Sequence, residues 1–350
     1  MIILGRYIGI TVIVASLVAL LAIVSLDLIF ALVDGVAGAD RAVGDVLVEA
    51  LLGAPRSAYE AFPFATLIGS LMGLGGLAAR NELMAMRAAG VSVLQIAGAA
   101  MAGGLILAVV ATGVGEWVVP QAEAQAASAR GLSEGDQLRA GPGGELWVRD
   151  GREFLRVEQP RARDHLDAVT LYRFEGDELV ERREVTTMRY GGDGWILRDV
   201  TVLGFGPDGV TREHMEQAQW AGALDPTVLG VVVRDPEALP MTQLLTYVRY
   251  LERNELDSDR YRLALWVKVA TPLATLAMIL VTVPLIFVAG RSAGAGQRIV
   301  LGVLVGTAFF LLNRAMGQAG VVYGVPPSLS ALLPVALFFA LGLWGTLRTR

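Results

Sequence analysis

The sequence predicts a polytopic α-helical membrane protein: six transmembrane helices, with an extramembrane all-β, jelly-roll-like domain inserted between helices 3 and 4. Three observations carry this. Of 350 residues 54% are hydrophobic and the mean hydropathy is +0.54, too apolar for a string of ordinary soluble domains. The apolar residues gather in six runs able to cross a hydrocarbon core of roughly 30 Å. The charges gather elsewhere: residues 120–262 hold 18 Arg and 26 Asp or Glu, 44 of the 63 formal charges. The chain therefore divides into helices 1–3 over residues 1–119, the inserted domain over 120–262, and helices 4–6 over 263–350.

Helix 1 is expected from Ile8 to Val33, 26 residues with Asp27 as their one charge. At about 1.5 Å per residue it exceeds the bilayer core. It is also about twice the length of a signal-peptide apolar region, which argues against cleavage near Val36-Ala37-Gly38-Ala39. The other spans are expected at about 58–79, 91–114, 263–289, 299–312 and 328–347. Gly69-x-x-x-Gly73 and Gly302-x-x-x-Gly306 mark close helix approach, either inside the bundle or at a subunit seam. Pro272 and Pro284 each remove a backbone donor and predict bends in helix 4.

Orientation follows from the basic residues of the short loops. The N-terminus, the 80–90 and 290–298 loops and the C-terminus hold Arg6, Arg80, Arg87, Arg291, Arg298, Arg348 and Arg350 against the single acid Glu82. The opposite loops, 34–57 and 313–327, mix Arg41, Arg56 and Arg314 with Asp34, Asp40, Asp45 and Glu49. Both termini are expected in the cytoplasm, and the polar insertion outside, in a periplasm.

Within the insertion, turn signals at Asp150-Gly151, Gly176-Asp177, Gly191-Gly192-Asp193-Gly194 and Gly206-Pro207-Asp208-Gly209 separate short strand-like segments. Leu146 to Arg149, an Asp-Gly turn, and Arg152 to Val157 read as a hairpin. Val169, Leu171 and Arg173 alternate with Thr170, Tyr172 and Phe174, as do Val200 and Val202 with Asp199 and Thr201. An antiparallel sandwich or jelly roll is expected. Leu244, Leu245, Val248 and Leu251 then recur at helical spacing and predict a connector helix at the membrane interface. Asp257-Ser258-Asp259 supplies a cap for helix 4.

The same residues exclude most chemistry. A net charge of −5 is wrong for a broad nucleic-acid-binding face. With no cysteine and only His165 and His214 as imidazoles, no metal centre or cofactor is expected. Lys268, the only lysine, precedes Val269, so no Gly-Lys-Ser/Thr phosphate loop can be written. There is no Gly-x-Ser-x-Gly elbow for a serine hydrolase. Asp27 and Lys268 are costly groups inside spans. Each asks for a partner, and Lys268 could either pair with Asp27 or snorkel.

One inside loop has the character of a docking element: Arg80-Asn81-Glu82-Leu83-Met84-Ala85-Met86-Arg87-Ala88-Ala89-Gly90. Leu83, Met86 and Arg87 fall on one helical face with Arg80 and Met84 beside it, so one to two turns of helix would offer methionines to a groove, ending at Gly90.

Taken together, several stretches resemble the LptF/LptG family of permeases, and its LptG-type branch more than its LptF-type branch. They are Arg6-Tyr7-Ile8-Gly9, Phe62-Pro63, the Glu82 to Gly90 loop, Gly115-Glu116-Trp117-Val118-Val119-Pro120-Gln121, Asp235-Pro236-Glu237-Ala238-Leu239, Trp266-Val267-Lys268 and Val322-Tyr323-Gly324-Val325-Pro326-Pro327. The resemblance covers nearly the whole chain. It implies the transmembrane half of the ABC transporter that extracts lipopolysaccharide from the bacterial inner membrane. It implies an LptF-type permease as heterodimer partner, an LptB-type ATPase dimer, an LptC-type periplasmic bridge protein and a jelly-roll outside domain. It makes the 80–90 segment the coupling helix, with Arg80, Glu82, Leu83, Met84, Met86, Arg87 and Gly90 meeting the ATPase. Arg56, Arg130 and the weaker Arg41 match basic positions for the lipid headgroup. Ala31, Ala37, Gly38 and Ala127 stand where relatives can carry basic residues, so the headgroup is less anionic here or the partner chain supplies charge. Other readings are a lipoprotein-releasing or FtsX-like permease, which has four spans and its domain after helix 1, a membrane scaffold without transport, and a membrane-embedded enzyme.

Overall fold

The computed structural model describes residues 2–37, 43–129, 145–192, 194–206, 209–220, 222, 224–226, 228–229, 235–288 and 295–349. The chain forms two compact units, Met1–Ala126 with Asp259–Arg350, and Ala127–Ser258.

The first unit is helical: α1 (Ile2–Ala37), α2 (Val43–Ala79), the short α3 (Glu82–Ala88), and α4 (Val93–Gly113), which passes through a π-helical turn (Val114–Val118) into α5 (Val119–Ala129). Six helices among the described residues are long and apolar enough to cross a membrane, over Ile3–Val36, Val43–Ala79, Val93–Ala129, Asp259–Phe287, Gly296–Gly320 and Pro327–Arg348. The expected six spans are therefore present, and most run longer than the hydropathy runs. The largest departure is α2. The 34–57 stretch was expected as a loop, yet helix resumes at Val43, because Val-Leu-Val-Glu-Ala-Leu-Leu is good helix-forming sequence and a helix does not stop where the hydrocarbon does.

The helices meet through small residues. A Cβ on Gly69 would lie 2.3 Å from Ser16 Cα, and one on Gly73 3.2 Å from Thr11 O, so this pair seats α1 on α2. In the same way Gly302 and Gly306 meet Leu71 and Phe64 of α2. Both glycine pairs serve packing within the chain. Gly103 of α4 sits 2.7 Å, by its added Cβ, from Gly9 O of α1. Ala277, Met278 and Ile279 are sealed in the core, and Ser70 and Thr282 share a buried 2.8 Å hydrogen bond.

The second unit holds six antiparallel strands: β1 (Leu146–Asp150), β2 (Glu153–Ala162), β3 (His165–Glu175), β4 (Glu178–Tyr190), β5 (Trp195–Gly206) and β6 (Gly209–Trp220). They form one sheet in sequential order β1-β2-β3-β4-β5-β6. The antiparallel all-β insertion is as expected; the Greek-key crossing of a jelly roll is not among the described strands. Leu155, Val157, Leu166, Val169, Leu171, Val185, Met188 and Val200 bury one face. The first hairpin is slipped by one residue from expectation. Asp150 pairs with Glu153, so the two-residue turn is Gly151-Arg152, and Gly151 at φ 61 fills the first position, where a positive φ favours glycine. The alternation of buried Leu146 and Val148 with exposed Trp147 fixes that register.

A 3-10 turn (Pro236–Ala238) leads to α6 (Met241–Arg253). A helix therefore stands where the connector was expected, and polar side chains near its C-terminal end reach the sheet of the same unit. Leu244, Tyr247, Val248, Tyr250 and Leu251 are buried and Leu245 is exposed. Tyr250 donates to Arg149 O, and Asn254 Oδ1 accepts from Gly151 N at 2.6 Å, tying α6 to the first hairpin. The helical unit then resumes with α7 (Asp259–Val288), α8 (Ala295–Tyr323) and α9 (Pro327–Arg348).

Candidate functional site

The 80–90 segment folds as α3 between two local devices. Asn81 takes φ 62 and ψ 10, a left-handed conformation that asparagine tolerates, and this breaks α2 from α3. After the helix, Gly90 at φ 91 lets Val91 N return to Met86 O at 3.0 Å. Ser92 and Gln95 then cap α4 reciprocally, Gln95 N donating to Ser92 Oγ at 3.2 Å and Ser92 N to Gln95 Oε1 at 2.9 Å.

Leu83 and Met86 are buried against the bundle and anchor α3. The expectation that both methionines would be offered outward is corrected for Met86, because a seven-residue helix needs its i, i+3 face as a seat. The outward side is Arg80, Met84, Ala85, Arg87 and Ala88. Arg87 lies over the ring of Phe287 near the end of α7, 5.5 Å from its centroid. Glu82 accepts a 2.8 Å hydrogen bond from Tyr7 of α1. Arg80, Glu82, Leu83, Met84, Met86, Arg87 and Gly90 thus form one local structure.

Arg56 lies 23 residues before the end of α2, about 35 Å along a helix from α3. Its Nε donates to Glu60 Oε1 at 2.9 Å, and its Nη1 is 3.6 Å from Glu123 Oε1 of α5. The adjacent Ser57 donates to Asp27 Oδ2 of α1 at 2.5 Å. Arg41 and Arg130, the other headgroup candidates, lie outside the described residues.

Lys268 neither snorkels nor meets Asp27. Its ammonium is buried, 2.9 Å from Glu116 Oε1, and donates to Gly115 O at 2.9 Å within the π-helical turn. Tyr59 supplies a ring face 5.9 Å away, and a Cβ on Gly115 would lie 2.5 Å from that ring. A π-turn leaves backbone acceptors displaced from the α-helical ladder, and the lysine takes one of them. On the sheet, His165 Nε2 stands 3.2 Å from Asp167 Oδ1 and His214 Nε2 3.6 Å from Asp199 Oδ1.

Tyr7, Glu116 and Lys268 all lie in stretches that resemble the family, but each of their bonds spans distant elements and so leaves no local pattern in the sequence. Glu60 and Glu123 stand in no motif. The Ser92-x-x-Gln95 pattern was readable as a capping box and marks where the loop ends.

The arrangement contains a cation-bearing short helix at one end of the bundle and a charged cluster at the other. A family model described as the lipopolysaccharide export system permease LptF/LptG matches residues 6–348. The chain is 34% identical to the lipopolysaccharide export system permease protein LptG of Escherichia coli K12 over a 360-residue alignment, covering 99% of this chain and 98% of that protein. The LptG protein of Haemophilus influenzae is 33% identical over 356 residues, with 99% of each chain covered.

Proposed function

The chain belongs to the LptF/LptG family of lipopolysaccharide export permeases, and on that footing we propose that it is the LptG-type transmembrane subunit of an ABC transporter extracting lipopolysaccharide from the inner membrane. The observation that carries the proposal is the seat of α3. Buried Leu83 and Met86 fix it to the bundle while Arg80, Met84 and Arg87 face outward. A docking element must do both, since a push on a loosely held loop would not move the spans.

In this reading the α3 end faces the cytoplasm, which the bias of Arg6, Arg80, Arg87, Arg298 and Arg348 supports. The sheet unit is periplasmic. An LptB-type ATPase dimer engages α3, an LptF-type chain completes the cavity, and an LptC-type bridge protein receives the lipid. Closure of the ATPase pushes α3, and Tyr7, Phe287 and the continuous α2 pass the displacement to α1, α7 and the far end. The outward flanks of α1 and α8, rich in exposed Leu, Val, Ile and Phe, suit acyl chains or a partner helix. Arg56 then meets the phosphate that would be prohibitive to bury unpaired. The chain itself performs no covalent step.

The span count bears on the rivals: six candidate spans with the insertion after the third is not the four-span plan of lipoprotein-releasing or FtsX-like permeases. A scaffold without transport would not bring a P-loop ATPase with it. Affinity purification from native membranes with mass spectrometry of the subunits tests both. Glu82→Arg should abolish ATPase recovery while leaving the permease pair assembled, and undiminished ATPase recovery would remove α3 from the coupling role.

A further inference from the structure

Arg56, the headgroup candidate that falls among the described residues, already holds two anions from two different elements. Glu60 lies one turn along α2, and Glu123 reaches across from α5. Asp27 of α1 is drawn in beside them by Ser57. Carboxylates from three helices therefore gather around residues 56 and 57.

These two contacts are of a displaceable kind. The side chains of Arg56, Glu60 and Glu123 are 30%, 56% and 31% exposed, so water competes for each of them. In the Arg56 and Glu60 pair the cation precedes the acid at i,i+4, the less favourable order on a helix. The Glu123 oxygen at 3.6 Å is beyond good hydrogen-bond distance. A phosphomonoester carries nearly two charges and matches the guanidinium fork with two oxygens. A phosphodiester carries one charge, which repulsion from Glu60 and Glu123 offsets.

We propose that Glu60 and Glu123 are internal stand-ins for the lipid phosphate, holding Arg56 while the cavity is empty, yielding to a phosphomonoester headgroup on capture, and retaking the guanidinium on release. The two carboxylates thereby set a charge threshold that admits a dianionic lipid and turns away singly charged phospholipids. They also shorten the residence of what they admit, because a displaced carboxylate repels the phosphate that displaced it. The inference rests on Arg56 being a headgroup cation and names the chemistry that makes that residue selective.

The test uses the full-length chain in its assembled transporter, reconstituted in liposomes that carry both lipopolysaccharide and phosphatidylglycerol. Retention of each lipid is read after capture, and again after ATP addition. Glu60→Gln and Glu123→Gln should each raise lipopolysaccharide retention about two- to five-fold. Phosphatidylglycerol retention should rise by the larger factor, and ATP-driven release should slow. Glu123→Asp keeps the charge and should behave as the parent protein, and combination with Arg56→Gln should erase every gain. If Arg56→Gln alone leaves capture unchanged, its headgroup role falls and the stand-in role with it. If Arg56→Gln lowers capture while the glutamine variants leave retention and selectivity as they were, the stand-in role is overturned and the headgroup role stands.

Discussion

Tyr7 lies 75 positions before Glu82, yet its hydroxyl is the one hydrogen bond given to that carboxylate among the described residues. The bond ties the first span to the short helix directly, and in the proposed coupling role it would carry displacement between them. Tyr7→Phe keeps the ring and deletes the donor. It should lower lipid-stimulated ATP turnover of the assembled transporter about two- to five-fold without reducing recovery of the permease pair; unchanged turnover would show that the bond transmits nothing. Lys268 poses the opposite problem, a buried charge whose loss of partner is expensive. Glu116→Gln should cost about 3 kcal/mol of stability, read as a lowered melting temperature in detergent, and Lys268→Met combined with it should restore most of the loss. At this scale the sequence was least legible. Tyr7, Glu116 and Lys268 lie in family-like stretches, but a side-chain bond between helices depends on rotation and depth that hydropathy does not encode. Met86 shows the same limit, since its burial depends on which face of α3 meets the bundle.

Helices and strands were far more legible, because their signals are local and repeated. Six apolar runs predicted six spans, and Gly and Asp turn signals with apolar–polar alternation predicted an antiparallel all-β insertion. The errors came where a local rule competes with a neighbouring element. Helix α2 extends before the apolar segment because Val46 to Leu52 sustains it through Gly44, Gly53 and Pro55, and the hairpin turn moved one residue because the buried Leu146 and Val148 set the register. The glycines now separate into two kinds. Gly69→Ala drives a Cβ into the backbone of α1 and should lower stability by roughly 1–3 kcal/mol. Gly76→Ala, with nothing within 4 Å, should be neutral or stabilising by up to about 1 kcal/mol. Denaturation midpoints of the two variants, measured side by side, decide whether helix approach or helix propensity governs α2.

For the molecule as a whole, the contrast between charge-poor and charge-rich segments predicts an insertion over 120–262, and the structure groups Ala127–Ser258 as one unit; strand order has no comparable signal in composition. The sheet unit carries its own pH signature. Burial pushes the Tyr250 hydroxyl up to about 12 where it donates to Arg149 O. A folded value above the ordinary 10 means the stabilisation is complete below about pH 10 and is lost as the pH rises through about 12. Hydrogen exchange of the β1–β2 hairpin should accelerate across that window, and Tyr250→Phe should flatten the dependence. The sequential order of the sheet has a further consequence for biosynthesis. Among the described strands, each one after β1 pairs with the one made just before it, so each closure is local and fast. Translation can finish this unit while α7, α8 and α9 are still unmade. Nascent chains stalled far enough past Ser258 for the sheet to have left the ribosome and crossed the membrane should then already yield a protease-resistant sheet fragment, before the last three spans are complete.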